Sequence, residues 1–244
     1  MFLRKHKLLN SIIDEFISSA EPVGSGLLVD KYKLKVSPAT VRNEMMELEK
    51  EGYIFQPHTS AGRIPTEKGY KFYIENSLKN NRLSIKAKNK IKDVLEIENY
   101  DDKIKNVAKQ IAYESQELMI IAFKATDIYY TGISNLFSQP EFYEHRLVCN
   151  LSEVIDKMEE VIYKWYNSFK NSDETISILI GENNPFDRSC SSIIAKMKNK
   201  DKDILMCMLG PMRMDYGKNI GLVEYAIEIL ENSKSIDIAF KNGA

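Results

Sequence analysis

Apolar residues in the first part of the chain recur at the spacing of amphipathic helices. Residues 4–19 carry one such stripe, and a second short helix follows, for which Ser25 is the predicted N-cap. Ser37 then precedes Pro38, and serine at an N-cap before proline at the first helical position is a strong helix start. The pattern therefore predicts three successive helices, the last running to about Glu51.

The pattern then changes to two short extended runs, residues 53–56 and 63–65, joined by the turn-rich residues 57–62. This predicts a β-hairpin, with Pro65 at an edge or a strand end, where a missing N–H costs least. Thr66 is the predicted cap of a further helix. Three helices, a hairpin and a closing helix are the arrangement of a winged helix-turn-helix.

Strands and helices alternate in the remainder of the chain, which predicts an α+β or α/β domain. The predicted strands are 117–124, 128–134, 146–151, 175–180 and 203–210. The predicted helices are 101–116, 152–170, a short one near 190–198, and 217–231. The expected organisation is a winged helix-turn-helix in 1–78, a basic linker in 79–92 and an α+β domain in 93–244.

The charge of the chain is unevenly distributed, although the net charge is only -1. Residues 1–92 hold 17 Lys+Arg and 10 Asp+Glu, a surplus of +7, whereas residues 93–244 hold 17 and 25, a balance of -8. The front of the chain is thus the part suited to phosphate. Much of the surplus lies in the predicted linker, so charge alone permits DNA binding without requiring it.

The composition indicates the cellular compartment and argues against a metal site. No stretch approaches the ~20 apolar residues of a membrane span, and helical polar spacing begins at once, which argues against a signal peptide. Cys149, Cys190 and Cys207 form no C-x-x-C pair, which favours reduced thiols and speaks against zinc. We expect a cytoplasmic protein with no membrane segment, no metal site and no cofactor.

The helix that begins at Ser37 has the position of a recognition helix, whose N-terminal residues contact base edges in the major groove. If Val41, Met45 and Leu48 face the core, the polar residues between them face solvent. Arginine can pair with guanine, asparagine with adenine, and small or methyl-bearing side chains can contact a thymine methyl. Polar residues are ordinary at any exposed helix start, so the hairpin, with hydroxyls and cations suited to the DNA backbone or minor groove, strengthens the assignment. The candidate DNA-binding residues are Ser37, Ala39, Thr40, Arg42, Asn43, His58, Thr59, Ser60 and Arg63.

Several blocks of the chain resemble the bacterial heat-inducible transcription repressor family HrcA. In the front part these blocks are residues 21–25 (EPVGS), 37–45 (SPATVRNEM), 56–66 (QPHTSAGRIPT) and 68–70 (KGY) through to Tyr73. In the back part they are residues 132–137 (GISNLF), 139–142 (QPEF), 180–183 (IGEN) and 210–216 (GPMRMDY). The resemblance therefore covers both ends of the chain, and the block 56–66 is the most specific.

The resemblance implies a homodimeric repressor of chaperone genes that binds an inverted-repeat operator called CIRCE in double-stranded DNA. It further implies that the chaperonin keeps the repressor active until heat diverts the chaperonin to unfolded clients. The family's C-terminal region is a GAF-like α+β domain, which we expect in residues 93–244 with dimerisation and sensing roles. The resemblance implies no catalytic residue.

Two departures from the family pattern stand out. Members usually carry a basic residue after the glycine-serine pair, where this chain has Gly26. They are also longer, with a domain associated with dimerisation inserted into the GAF-like region. Here Phe123 is followed after a few residues by Tyr130, so the inserted domain is expected to be absent.

An enzyme is the first alternative. Arg213, Asp215 and Tyr216 can be drawn as a small active site, with Cys190 or Cys207 as a nucleophile. No histidine lies near them in sequence, and there is no phosphate loop, metal cluster or nucleophile motif. Asp215 is better explained as shaping the turn before the last helix.

Two further alternatives concern binding. Asn135, Gln139 and Glu141 can line a ligand pocket of a GAF-like domain, or belong to a structured loop, which is the reading we favour because nothing there selects a ligand. A winged helix can also serve protein contacts only. DNA binding would then show a flat salt response, whereas phosphate contacts make affinity fall steeply with salt.

Overall fold

The structure is a computed structural model that describes residues 2–77, 83–142, 158–170, 175–199, 202–231 and 238–240. It divides into an N-terminal unit, Met1–Asn80, and a C-terminal unit, Asn81–Ala244. The predicted strand 146–151 and the first part of the predicted helix 152–170 lie outside the described residues. No helix within those ranges is long and apolar enough to cross a bilayer.

The N-terminal unit consists of four helices and one hairpin. Its elements are α1 (Phe2–Ser19), α2 (Ser25–Tyr32), α3 (Pro38–Lys50), β1 (Ile54–Phe55), β2 (Ile64–Pro65) and α4 (Glu67–Ser77). The strands pair antiparallel, Ile54 with Pro65 and Phe55 with Ile64. A small core holds the helices together, formed by Leu9, Ile12, Leu28, Val41, Leu48 and Tyr70.

Helix caps in this unit follow the sequence closely, with one exception. The Ser37 hydroxyl accepts a hydrogen bond from the Thr40 N–H at 3.2 Å, and the Thr66 hydroxyl accepts one from the Gly69 N–H at 3.1 Å. Each therefore satisfies one of the free N–H groups of a helix start. The prediction for Ser25 is wrong: Gly24 is the N-cap of α2, Ser25 is its first residue, and no side chain caps this helix.

The C-terminal unit is a six-stranded sheet covered by helices. Its elements are α5 (Ile85–Lys92), α6 (Tyr100–Ser115), β3 (Leu118–Lys124), β4 (Asp127–Thr131), α7 (Ile133–Phe137), α8 (Met158–Lys170), β5 (Ile176–Ile180), β6 (Cys190–Asn199), β7 (Lys202–Pro211), α9 (Tyr216–Glu231) and β8 (Ile238–Phe240), with short 3-10 turns at Asp93–Leu95, Pro140–Phe142 and Gly181–Asn183. The strand order is β4-β3-β7-β6-β5-β8. All neighbours are antiparallel except β5 and β8. The predicted α+β class is confirmed as a mixture of helices and a largely antiparallel sheet.

Helices pack on both faces of this sheet. On one face Leu118 and Ile120 of β3 join Leu136 of α7 and Ile162 of α8 in one apolar cluster. On the other face Lys105 of α6 lies over the ring of Phe123. Both faces are thus removed from water, which makes the strands apolar throughout instead of alternating.

The predicted short helix near 190–198 is wrong, because these residues form strand β6. Ile193 and Ile194 are both fully buried, since helices cover both faces of the sheet. The strand therefore lacks the period-two alternation that identifies a half-buried strand, and a short apolar run cannot be told from a buried helix by periodicity. Pairing with β5 and β7 decides in favour of the strand.

The structure also differs from the predicted linker at residues 79–92. Residues 85–92 form α5, which begins with Ser84 accepting a hydrogen bond from the Ala87 N–H at 3.2 Å. Ala87 and Ile91, four residues apart, are buried within the C-terminal unit, and of the two lysines between them Lys88 lies over the ring of Tyr225 and Lys90 pairs with Glu114. Two buried apolar residues are thus enough to pack α5 against the unit, although the lysines around them make the segment look like a linker in the sequence.

One carboxyl group is buried without full compensation in the C-terminal unit. Glu117, the residue immediately before β3, is only 3% exposed, and its Oε2 atom has no hydrogen-bond partner among the described residues. A Cβ on Gly210 would lie 2.1 Å from this oxygen, so the carboxyl packs directly on the backbone of β7. Burial raises the pKa of Glu117 well above its ordinary value, although Arg213 and Lys218 lower it.

We expect Glu117→Gln to stabilise the protein by about 1–3 kcal/mol at pH 7.5, because an isosteric neutral side chain avoids the cost of burying a charge. A raised pKa in the folded state means that stability contributed by Glu117 is complete below the unfolded value of 4.5 and declines as pH rises. The gain in melting temperature should therefore shrink at pH 5. Thermal unfolding followed by circular dichroism at both pH values measures it.

The exposed Glu98 provides the matched control, since Glu98→Gln removes the same charge from the same unit. It should shift the melting temperature little at either pH. A Glu117→Gln variant that is destabilised at pH 7.5, or that gains equally at both pH values, would contradict this account of the buried carboxyl.

Candidate nucleic-acid interface

The start of α3 presents an exposed polar face. Val41 and Met45 point into the core, whereas Ala39, Arg42 and Asn43 are exposed. Neither Arg42 nor Asn43 has a hydrogen-bond or ion-pair partner among the described residues, so both side chains are available to a ligand. The hydroxyls of Ser37 and Thr40 lie 3.0 Å apart and are engaged with each other at the cap.

The hairpin tip (residues 57–62) is held in a defined shape by Gln56. Its side-chain amide donates to the carbonyl oxygens of Thr59 at 3.0 Å and Ala61 at 2.9 Å. The Ala61 N–H donates to the carbonyl of His58 at 2.9 Å and closes the turn. His58, Thr59 and Ser60 are exposed on this ordered tip.

Glu49 of α3 connects the helix to both ends of the hairpin. Its Oε1 atom accepts a hydrogen bond from the Gln56 N–H at 2.9 Å, and its Oε2 atom accepts one from Arg63 Nε at 3.0 Å. Such charge-assisted bonds are among the stronger ones in proteins. The hairpin therefore has a fixed position relative to the recognition-helix candidate.

Arg63 is held by its backbone as well as by its side chain. Its N–H and carbonyl oxygen both bond to Val23 at 2.9 Å, which adds a third short strand segment to the hairpin. The Arg63 side chain is only 13% exposed. Its main contact is thus Glu49, and it differs from the freely exposed cation that the sequence leads one to expect.

Gly62 allows the hairpin to approach Val23 this closely. A Cβ built on Gly62 would lie 2.4 Å from the carbonyl carbon and oxygen of Val23, a distance that real side chains do not adopt. A residue without a side chain is therefore needed where these two backbone segments meet.

A cleft opens between the start of α2, the face of α3 and the hairpin tip. Its lining includes Ser25 of α2, Arg42 of α3, and Thr59, Ser60 and Arg63 of the hairpin. Four of the nine candidate DNA-binding residues thus meet in one place. The other five, Ser37, Ala39, Thr40, Asn43 and His58, do not line this cleft.

The N-terminal unit is close to neutral. Residues 1–78 contain 11 Lys+Arg and 10 Asp+Glu, because six basic residues of the front surplus fall in 79–92. Most of the acids are neutralised on the helical scaffold: Glu15 pairs with Lys31 at 2.6 Å, and the buried Glu44 pairs with Arg4. Affinity for a polyanion must then depend on where a few cations lie, not on overall charge.

Sequence reasoning missed the residues that build this surface. Glu49 and Gln56 are ordinary polar residues in the sequence, and their roles depend on contacts with the hairpin. The sequence predicts Ser25 as a helix cap, whereas the structure makes it part of the cleft wall. Only Gly62, within a turn-rich run beside Arg63, carries a local signal of close backbone approach.

The enzyme alternative finds no support in the C-terminal unit. Cys190 and Cys207 are buried, and burial raises the pKa of each thiol to about 12, far from a reactive thiolate. Arg213 forms an ion pair with Glu141, and Asp215 accepts a hydrogen bond from the Lys218 N–H at 3.0 Å, as a helix cap does. Among the described residues there is no group of three or more metal-binding side chains.

The segment proposed for a ligand pocket makes its contacts within the protein. Asn135 donates to the carbonyl oxygen of Ala112 at 3.0 Å, and Gln139 donates to that of Gln116 at 3.1 Å. The Gln139 side-chain oxygen accepts a bond from Arg213 at 2.8 Å. These contacts favour the structured-loop interpretation.

Comparison with known proteins gives one family. The family described as HrcA protein C terminal domain matches residues 59–220. A heat-inducible transcription repressor HrcA of Pelotomaculum thermopropionicum is 47% identical over 115 residues, which are 47% of this chain and 32% of that protein. One from Desulforudis audaxviator is 26% identical over 326 residues, covering 91% of this chain and 94% of that protein.

This chain is shorter than the relatives that it matches. The chain spans only 32%, 37% and 28% of three of the curated relatives that it matches. In the alignment with the Desulforudis audaxviator protein, 91% of 244 residues is about 222, so roughly 100 of the 326 aligned positions have no residue of this chain opposite them. A crystal structure of a hypothetical protein has a TM-score of 0.76 at 18% identity and matches 94% of this chain and 97% of its own, which shows a shared fold alone.

Replacing Gly62 tests the close approach of the hairpin. We expect Gly62→Ala to lower the free energy of unfolding by about 1–3 kcal/mol, because the new methyl group forces the hairpin away from Val23. Gly26→Ala is the matched control: its Cβ meets nothing within 4 Å, and alanine favours a helix by about 0.5–1 kcal/mol over glycine. Chemical denaturation of both variants measures the difference, and equal stabilities would refute the packing argument.

Proposed function

The chain belongs to the HrcA family, and on that premise we propose that it is a heat-inducible transcription repressor that binds double-stranded DNA through its N-terminal unit. The observation that carries the proposal is the fixed pairing of the exposed face of α3 with the hairpin tip through Glu49. A recognition helix and a wing must act as one surface to engage adjacent parts of a duplex. Such a rigid pairing supports a winged helix-turn-helix.

The proposed division of labour follows from the positions of the side chains. Ala39, Thr40 and Asn43 lie at the start of α3, where a recognition helix reads base edges. His58, Thr59 and Ser60 on the wing are suited to the backbone or minor groove of the flanking DNA. The salt response should then be steep even though the unit is nearly neutral, since released counterions depend on local phosphate contacts.

We propose an inverted-repeat operator of the CIRCE type, bound by a homodimer. Each half of an inverted repeat needs its own recognition helix, so the protein must carry two-fold symmetry on the DNA. The C-terminal unit, proposed to be GAF-like, is the candidate for dimerisation and heat sensing, and the chaperonin is the candidate modulator. The site of action would be the cytoplasm, where a bacterial repressor meets its operator.

The decisive experiment is a titration of the full chain against a CIRCE-repeat duplex and a scrambled duplex of equal length, at two salt concentrations, followed by fluorescence anisotropy. We expect tighter binding to the repeat and a steep loss of affinity with salt, because phosphate contacts release counterions. Salt-sensitive binding without preference for the repeat would support DNA binding but contradict the CIRCE assignment. A flat salt response would instead favour a winged helix that contacts proteins.

A further inference from the structure

Ser25, the first residue of α2, carries a hydroxyl that does not cap the helix. Its side chain lies in the cleft, the residue is only 8% exposed, and its hydroxyl has no hydrogen-bond partner among the described residues of the N-terminal unit. The oxygen is not one of the fully buried, unpartnered atoms of the described residues, so the hydroxyl faces the open cleft, where it can donate to an acceptor. An oxygen acceptor bound in the cleft would provide the missing partner.

The start of α2 lies at the edge of the same cleft, since Gly24 and Ser25 both line it. Gly24, the N-cap, is extended at φ -92° and ψ 149°, and no side chain caps the helix. The first turn contains no acidic residue. A Cβ on Gly24 would meet nothing within 4 Å, so the space beside the helix start is open. An uncapped helix start of this kind favours an anion, and phosphate above all.

The charge in the cleft has the matching sign. Arg42 is exposed in the lining and has no partner among the described residues, so its guanidinium can turn to a bound anion. None of the described lining residues is acidic, and the nearby Glu49 already has both carboxylate oxygens engaged by the hairpin. Thr59 and Ser60 add hydroxyl groups from the opposite wall.

We propose that this cleft binds one phosphodiester of the DNA backbone, held by the first-turn N–H groups of α2, the Ser25 hydroxyl and the Arg42 guanidinium. This inference rests on the proposed DNA-binding function and refines it, because Arg42 then anchors the duplex instead of pairing with a guanine. Base discrimination falls to the exposed Asn43 and Ala39 and to the half-buried Thr40 on α3. A phosphate contact positions a protein on DNA and carries no sequence information directly.

The test combines protein variants with chemically neutralised DNA. Arg42→Gln should weaken binding of the full chain to the repeat and to the scrambled duplex by the same factor, about tenfold. It should also reduce the salt slope by about 0.9, the value for one phosphate. Ser25→Ala should weaken both duplexes equally, with little change in salt slope because no charge is lost. Lys7→Gln, which removes an exposed cation outside the cleft, is the matched control and should do neither.

A methylphosphonate scan of each half-site identifies the contact directly. One neutralised phosphate per half-site should weaken the wild-type protein, while Arg42→Gln, which has already lost the charged part of that contact, should lose clearly less there than the wild-type protein does. The proposal is overturned if Arg42→Gln instead relaxes the preference at one base pair and its loss adds to that of every methylphosphonate. Wild-type protein that binds DNA without salt dependence would refute the proposed function itself, which separates the two failures.

Discussion

The carboxylate of Glu49 is the contact on which the proposed DNA-binding surface depends. It accepts the Gln56 N–H and the Arg63 Nε, so that a hairpin with only two paired residues in each strand acquires a fixed position on α3. An isolated two-stranded hairpin is at best marginally stable in water. Without this carboxylate the hairpin would keep its bridge to Val23 and the bond from the Tyr53 N–H to the Leu48 carbonyl oxygen, but would lose both hydrogen bonds to Glu49.

The stability of the C-terminal unit comes from apolar burial on both faces of its sheet, whereas the hairpin of the N-terminal unit is held by a charged side chain. Against this background Glu117 is costly, because its carboxyl lies between β3 and β7 with one oxygen unpartnered among the described residues. A repressor proposed to respond to heat needs a sensing unit whose stability is limited. A buried carboxyl that disfavours its charged form reduces stability at neutral pH, which agrees with such a role.

The sequence predicts local features well and long-range contacts poorly. The cap at Ser37, the hairpin and most strands of the C-terminal unit follow from residue type and periodicity, because these depend on neighbours along the chain. Strand β6 and helix α5 could not be predicted, since their burial depends on helices and strands far away in sequence. The same holds for the interface: Arg42 and Thr59 are recognisable by type, but only the fold brings them to one cleft with Ser25.

The most direct test of this account is a double-mutant cycle of Glu49→Gln and Arg63→Gln, read as affinity of the full chain for the repeat duplex. If Arg63 acts by holding the wing through Glu49, each single variant should weaken binding and the double variant should lose no more than the weaker-binding single variant. If Arg63 instead contacts DNA independently of Glu49, the two losses will add. Additive losses would contradict the claim that this ion pair unites helix and wing into one DNA-binding surface.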